Sequence, residues 1–582
     1  MNKEIDKTTF RIRILLVGVF LACFLIFIRL FYLQVLHSDT YKQIASGQYQ
    51  APKEGSYDRG SVFFQDKTGK ELSAATRLTA YTLAISPRDI VDADAAYAQL
   101  SAAYPLLDKA VFDTKVAKKN DPYEEVAKRL TMDEKKKVEE LKLKGVQLVP
   151  EYYRSYPYKT AASQVIGFVG FSGEKLLGRY GLERYYNDVL SRSDEGVHVN
   201  FFAEIFSDIG QTLFTNEKER EGDLLLTIEP NVQLFVEDEL RAIQNKWNSE
   251  TVGIIVMEPH TGKIVAMGST PGFDPNDMKN AEVKNLGNPL VENVYEMGSI
   301  IKPLTVAAGI DSGAITQDTH YTDTGDLLIN GFHVRNYDHK ARGYVSVQEI
   351  LSQSLNVGTV FVARKIGGDA YRKYMLEYGL GDATGIDLPN EATSLVNNLK
   401  DPKVEVDYLT TAFGQGMAIS PIQTIRALAT LGNGGKLVTP YVVDKIQYKA
   451  GFSKRIVQNE PKQVLKEQTS QDITQMLVTV VDKALKGGKY KIPEYSVAAK
   501  TGTAQMVAPN GKYYEDRYLH SIFGYFPAYK PRFIVFVYHT NPRGAQYASD
   551  TLSEPLFNIT KFLLNYYEVA PDREAATGTV IE

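Results

Sequence analysis

The spacing of apolar positions changes several times along this chain. Residues 14–33 are apolar except for Arg29. At the helical rise they span roughly 30 Å, the hydrocarbon thickness of a bilayer. Arg29 lies near one end, where it can snorkel, and Phe31 and Tyr32 suit an interface. No small-residue cleavage site follows, so the stretch predicts a retained transmembrane anchor over 14–35 rather than a signal peptide. The short basic end, residues 1–13, is then a cytoplasmic tail, and the rest of the chain lies outside.

After the anchor the pattern is mixed. Residues 59–66 read as a strand entering a turn at 67–70, and 78–86 as another strand. Residues 93–104 and 123–143 read as helices, the second solvated because of its many charges. Polar residues 188–196 read as a loop. Residues 36–222 show no catalytic constellation and read as a pedestal. A new domain starts near Asp223. It opens with a strand at 224–228, a helix at 232–247 started by Glu229-Pro230-Asn231, and a hairpin of 253–257 with 263–267. Residues 350–366 are helical but broken at Ser354-Leu355-Asn356. A helix follows Ser420-Pro421 and closes in Gly432-Asn433-Gly434-Gly435. Strands at 497–504, 521–527 and 533–539 and a helix at 556–567 complete the series. The expected fold class is α/β in the α+β sense, an antiparallel sheet packed by helices over 223–570. Residues 571–582 read as a disordered polar tail.

Composition narrows the chemistry. The chain has 582 residues and a net charge of -4, without the basic excess of a nucleic-acid binder. A single cysteine, Cys23, excludes an intrachain disulfide framework and any site of several thiolates. It lies inside the apolar span, so the part expected outside carries no thiol, as suits an oxidising envelope. The eight histidines show no ligand spacing. Each reads as a surface or core histidine rather than a ligand.

The candidate chemistry sits in Tyr295-Glu296-Met297-Gly298-Ser299-Ile300-Ile301-Lys302-Pro303. A serine hydroxyl keeps its proton at neutral pH and needs an adjacent base. Residues three apart share a helix face, so Lys302 can serve Ser299. Pro303 fits a helix start, and the apolar run after it predicts a buried helix. Burial near other cations makes a lysine give up its proton. Serine and lysine three apart also occur at Ser172 and Lys175, so spacing alone does not decide. Order does: Ser299-x-x-Lys302, then Ser354-x-Asn356, then Lys500-Thr501-Gly502-Thr503. A Lys67-Thr68-Gly69 also occurs, but before the serine. The ordered set is the signature of serine–lysine acyl transfer.

On these motifs the chain resembles a class B penicillin-binding protein, a monofunctional D,D-transpeptidase of the FtsI type. The likeness extends to Arg59-Gly60, Arg154-Ser155-Tyr156-Pro157, Gly181-Leu182-Glu183, Asp274-Pro275-Asn276, and Gly385-Ile386-Asp387-Leu388-Pro389 with Glu391. Met297 stands where the family usually has proline, and Ile301 where an aromatic or methionine is common. Both predict altered packing with the chemistry kept. The resemblance makes 36–222 a pedestal or dimerisation-like domain and 223–570 a transpeptidase domain. It implies that Ser299 attacks the D-Ala-D-Ala carbonyl of a peptidoglycan stem peptide while Lys302 takes and returns the proton. Ser354 relays a proton, and Asn356 bonds the substrate amide and Lys302. Lys500 supplies positive charge, and Thr501 and Thr503 hold the terminal carboxylate. Backbone N–H groups of Ser299 and Thr503 form the oxyanion hole. Gly502 keeps the strand edge clear for substrate. The resemblance further implies β-lactams as inhibitors, a polytopic membrane glycosyltransferase as partner, and no metal or organic cofactor; with the apolar span it makes a single-pass protein of the bacterial plasma membrane. Modest length and the absence of C-terminal repeat modules favour septation over side-wall growth. The rivals are a membrane-anchored β-lactamase, a β-lactam sensor, and a non-catalytic scaffold.

Overall fold

The computed structural model describes residues 59–172, 175–191, 221–449 and 451–574. The apolar span at 14–33 lies outside them, as does the polar tail from residue 575. Among the described residues no helix is long and apolar enough to cross a membrane. The described chain forms two compact units, residues 79–153 and residues 59–78 with 154–574.

In chain order, β1 (Val62–Gln65) turns into β2 (Glu71–Ile85), whose first half pairs with it antiparallel. The second half of β2 belongs to the smaller unit. There α1 (Ala93–Ala103) and α2 (Lys109–Val116) precede β3 (Glu124–Leu130), α3 (Met132–Glu140) and β4 (Val146–Ser155). Leu83, Leu100, Phe112, Leu130 and Val138 form the core of this unit. The helix predicted over 123–143 is corrected here: its first third is the strand β3. Glu124, Val126 and Leu130 are buried and Val126 alternates with partly exposed neighbours, because β3 pairs with β2. The helix begins only at Thr131, whose hydroxyl accepts from the Glu134 N–H while Glu134 Oε2 accepts from the Thr131 N–H, a reciprocal cap.

The larger unit opens with a buried ion cluster. Arg59 Nε donates to Glu183 Oε2 at 2.6 Å and Arg154 Nε to Glu183 Oε1 at 2.7 Å. Burial alone would raise the Glu183 pKa, but the charges of Arg154 and Arg59 outweigh it and hold it down. The cluster ties three segments far apart in sequence. Then come β5 (Gly222–Leu226), which pairs parallel with β1, and α4 (Pro230–Trp247). The hairpin β6 (Thr251–Met257) and β7 (Ile264–Thr270) follows as predicted.

Further on come α5 (Lys302–Asp311), α6 (Gln348–Ser352), α7 (Asn356–Ile366), α8 (Pro421–Ala429) and β8 (Val443–Tyr448), which pairs with β5. The chain ends with β9 (Ala498–Val507), β10 (Tyr513–Phe526), β11 (Phe533–Thr540) and α9 (Ser553–Tyr566). The five-stranded antiparallel sheet runs β9-β10-β11-β6-β7, so β9 is an edge strand. Both faces are covered. Along β11, Ile534, Phe536 and Tyr538 enter the core shared with α5, while Val535 and Val537 enter the core with α4 and α9. That is why these strands read as continuous apolar runs instead of alternating ones.

Residues 571–574, expected in the tail, are held. The Ser496 N–H donates to Asp572 Oδ1 at 2.7 Å, and Arg573 Nη2 pairs with Asp482 Oδ2 at 2.7 Å. Their partners lie about 75 to 90 residues away, beyond any local pattern.

Candidate active site

Ser299 lies in a tight 3₁₀ turn, Gly298–Ile301, that feeds straight into α5. The turn is shaped by Gly298, whose φ of 66° suits glycine. The Lys302 N–H closes the turn on the Ser299 carbonyl. As the first residue of the turn after Gly298, Ser299 keeps an N–H without a partner inside the helix. Pro303 sits in the first turn of α5, where its missing N–H costs nothing.

Lys302 is fully buried. Its Nζ donates to the Ser354 carbonyl at 2.5 Å and lies 3.2 Å from Ser354 Oγ. Burial, and then the charge of Lys500, drive its pKa well below that of a free lysine. Lys500 Nζ is 3.1 Å from the same Ser354 Oγ and donates to the Thr501 carbonyl at 2.9 Å. Burial pushes Lys500 down to about 7. One hydroxyl thus stands between two amines, and a proton can pass along that line.

Ser354 reaches both amines because the helix breaks there. Its φ of 58° is left-handed, uncommon for a residue with a Cβ, and separates α6 from α7. The reversal aims both its carbonyl and its hydroxyl at Lys302. Strain of this kind persists where the surroundings over-determine it.

Two expectations are corrected. Asn356 does not bond Lys302; its Nδ2 donates to the Arg335 carbonyl at 2.7 Å. Lys302 is satisfied by Ser354 instead, and Asn356 at the start of α7 is turned to the end of the short strand Phe332–Arg335. Nor does Gly502 chiefly clear space for substrate. A Cβ there would lie 2.8 Å from the Met297 carbonyl oxygen, 3.0 Å from the Ile300 nitrogen and 2.5 Å from Ser521 Oγ. Gly502 lets β9 lie directly on the nucleophile turn. Alternate side chains of a strand face opposite ways, so Lys500 and Gly502 face the turn while Thr501 and Thr503 face away from it. Thr503 Oγ1 accepts the Ala548 N–H at 3.1 Å.

Sequence reasoning missed several neighbours. Ser521 Oγ donates to the Met297 carbonyl at 2.9 Å, and Met297 itself is buried. Tyr337, two residues after Arg335, and Tyr547, beside Ala548, are exposed and meet edge to face at 5.8 Å. Glu296, half-buried, accepts from the Gly416 N–H and from Tyr513 Oη. No local period marks these residues, because their partners lie more than a hundred residues away in the chain. Other quoted motifs are structural. Asp387 accepts from the Val442 and Val443 N–H groups and from Tyr186 Oη. Asn276 exchanges hydrogen bonds with the backbone of Tyr156. Glu391 caps a turn by accepting from the Thr384 and Gly385 N–H groups. Among the described residues no group of acidic, histidine or cysteine side chains could hold a metal.

A buried lysine three residues after a serine at a helix start, a bridging serine, and a lysine on an edge strand define a serine acyltransferase type of site. The chain belongs to the penicillin-binding proteins: residues 252–560 match the penicillin binding protein transpeptidase domain, and residues 58–213 the penicillin-binding protein dimerisation domain. It is 30% identical to stage V sporulation protein D of Bacillus subtilis over 98% of this chain and 88% of that protein. It is also 30% identical to a probable peptidoglycan D,D-transpeptidase FtsI of Caulobacter vibrioides, over 86% of this chain and 78% of that one. The fold is similar to crystalline penicillin binding protein 3 of Mycobacterium tuberculosis in complex with aztreonam, with a TM-score of 0.67 and 22% identity, over 90% of this chain and 98% of that one.

Proposed function

We propose that this protein is a peptidoglycan D,D-transpeptidase that cross-links stem peptides through an acyl-enzyme on Ser299. The observation that carries the reading is the buried, deprotonation-prone Lys302, three residues after Ser299 and bridged by Ser354 to Lys500. Ser299 Oγ attacks the carbonyl between two D-alanines as its proton passes to Lys302. The tetrahedral oxyanion is held by the Ser299 N–H and by the N–H of Thr503 on the edge strand. One such donor is typically worth about 10²–10³ in rate. The C–N bond then breaks, the proton returns through Ser354, and D-alanine leaves as the amine. An amine of a second stem peptide attacks the ester carbonyl and gives up its proton to the same base; the bond from the carbonyl carbon to Ser299 Oγ breaks, and that proton passes to Oγ, restoring the serine and the neutral lysine. Lys500 supplies positive charge to the terminal carboxylate; Thr501 and Thr503, on the face of β9 away from the nucleophile turn, reach it across the strand edge, where their hydroxyl hydrogens remain free to donate. Asn356 contributes to the substrate amide once it exchanges its bond to the Arg335 carbonyl.

The remaining roles rest on the apolar span and the family. The span at 14–35 anchors the chain in the bacterial plasma membrane, with residues 1–13 cytoplasmic and the catalytic domain outside. A polytopic membrane glycosyltransferase supplies glycan strands, and β-lactams inhibit by acylating Ser299. Septal synthesis is favoured over side-wall growth by the modest length of the chain. The β-lactamase reading is disfavoured, since Glu391 spends both oxygens on a backbone turn and so offers no base for deacylation.

Intact-protein mass spectrometry after incubation with benzylpenicillin tests the reading. A lasting adduct on the full-length chain and none on Ser299→Ala is the expected result. Rapid drug hydrolysis with no adduct would mean a β-lactamase. Neither adduct nor hydrolysis would withdraw Ser299 as nucleophile.

A further inference from the structure

Three stretches meet at Glu296. The segment 295–298, just before the nucleophile, is stitched by its backbone to 414–419. The Tyr295 and Ile419 N–H groups each donate to the other's carbonyl at 3.0 Å, and the Gly298 N–H donates to the Gly414 carbonyl at 3.1 Å. A Cβ on Gly414 would lie 2.1 Å from the Gly298 carbonyl oxygen, so the two backbones are in direct contact. The Glu296 carboxylate adds to both sides. Oε1 accepts the Gly416 N–H at 2.9 Å, and Oε2 accepts Tyr513 Oη–H at 2.8 Å.

Tyr513 occupies a telling place. It is the first residue of β10 and pairs with Val507, the last of β9, at the closed end of their hairpin. Lys500-Thr501-Gly502-Thr503 lie on β9, the edge strand. The middle of β9 is fixed on the nucleophile turn through Gly502 and Ser521. The pairing is irregular between Gln505 and Val507, so the hairpin end is not held by ladder bonds alone. Glu296 is the side chain that ties this end to the segment carrying Ser299.

We propose that Glu296 and Tyr513 form a latch that sets the angle of the edge strand against the nucleophile, Glu296 acting as a positioning residue and not a catalytic one. This rests on Ser299 being the acylated serine. A substrate laid on β9 takes its orientation from the strand. When the latch is closed, the reacting carbonyl faces Ser299 Oγ. When it is open, substrate still binds along the edge, but the carbonyl is off line. A misplacement of about 1 Å can cost about a hundredfold in rate. The latch therefore acts on the acylation step and leaves ground-state binding nearly alone. Burial raises the Glu296 pKa, while the bonds from Tyr513 and Gly416 oppose that rise. No cation is paired with Glu296 among the described residues, so the two neutral donors are what hold it.

The test is stopped-flow acylation of the full-length chain by a fluorescent penicillin, with rate constant and dissociation constant separated by saturation. Glu296→Ala and Tyr513→Phe should each lower the acylation rate constant about tenfold or more, with the dissociation constant within about threefold. The double variant should be no slower than Glu296→Ala, since both remove the same link. Glu296→Gln should restore the rate, because its carbonyl accepts from Gly416 and its amide donates to Tyr513 Oη. Wild-type rates in both single variants would overturn the latch, as would a change confined to the dissociation constant. If Glu296→Ala does not fold, Tyr513→Phe decides, since Tyr513 lies at an exposed hairpin end. Failure of the wild-type chain to acylate at Ser299 would sink the active-site reading instead, and the Ser299→Ala control reports that separately.

Discussion

Lys302 shows what a base of this kind costs the fold. An amine with no exposed surface is stable only when neutral, so its folded pKa lies below its unfolded value. The unfolded chain then binds a proton that the folded chain does not. Stability at neutral pH is reduced, and rises as pH climbs toward the value of 10.5 for a free lysine. Lys302→Met keeps the volume and removes the titration. The expected outcome is loss of acylation by about 10²–10⁴ and a melting temperature no lower than wild type. Acylation kinetics and a thermal scan check it. Spacing alone made Lys302 a candidate, because three residues place it on the face of Ser299. What it could not show is that the hydroxyl nearest to both amines belongs to Ser354. That contact needs the left-handed φ of one residue between two helices.

Among the elements, the edge strand β9 and the turn at Ser299 must touch. Gly502 allows it, since its missing side chain leaves room for the Met297 carbonyl. Gly502→Ala would force the strand off the turn. The expected result is a fall in acylation of about a hundredfold and a loss of roughly 1–3 kcal/mol in stability. Acylation rates and urea midpoints would show both. Most elements were legible from periodicity: α4, the β6–β7 hairpin, the helix after Ser420-Pro421, and the last strands. The strand β3 was not. Its charges and the capped helix after it look like one solvated helix, and only pairing with β2 reveals the alternation.

At the scale of the larger unit, two buried histidines join strands to the helical end of the chain. His520 is 3.0 Å from Thr551 Oγ1 and 3.1 Å from the Gln546 carbonyl. His539 lies 2.9 Å from the same Thr551 oxygen and 2.8 Å from Ser249 Oγ. Burial lowers His520 from 6.5 to about 4, and burial and then the charge of His520 lower His539. A depressed histidine binds its proton more readily when unfolded. Its stabilising share is full above pH 6.5 and is lost as pH falls from there toward about 4. For His520 this amounts to about 3 kcal/mol. Urea midpoints should therefore fall between pH 7.5 and pH 5, and His520→Gln should flatten that fall. A wild-type midpoint that did not move would count against the buried, neutral assignment. The ion cluster of Arg59, Arg154 and Glu183 is of the same kind: each residue lies in a short recognisable stretch of sequence, but their shared burial is a property of the assembled unit.

The sequence by itself determined the order and type of the motifs, the buried helix after Ser299, the break at Ser354 and the buried strand of Lys500. Each follows from local period, local turn chemistry or spacing along the chain. Only the tertiary structure decided that Ser354 Oγ stands between Lys302 and Lys500, that Asn356 turns to Arg335, that Gly502 makes room for the nucleophile turn, and that Glu296 reaches Tyr513. The physical reason is range. Periodicity reports which face of an element is buried, whereas these contacts join residues from 21 to more than 200 positions apart. Their geometry is fixed by how the sheet and helices pack, and packing is a property of the whole core.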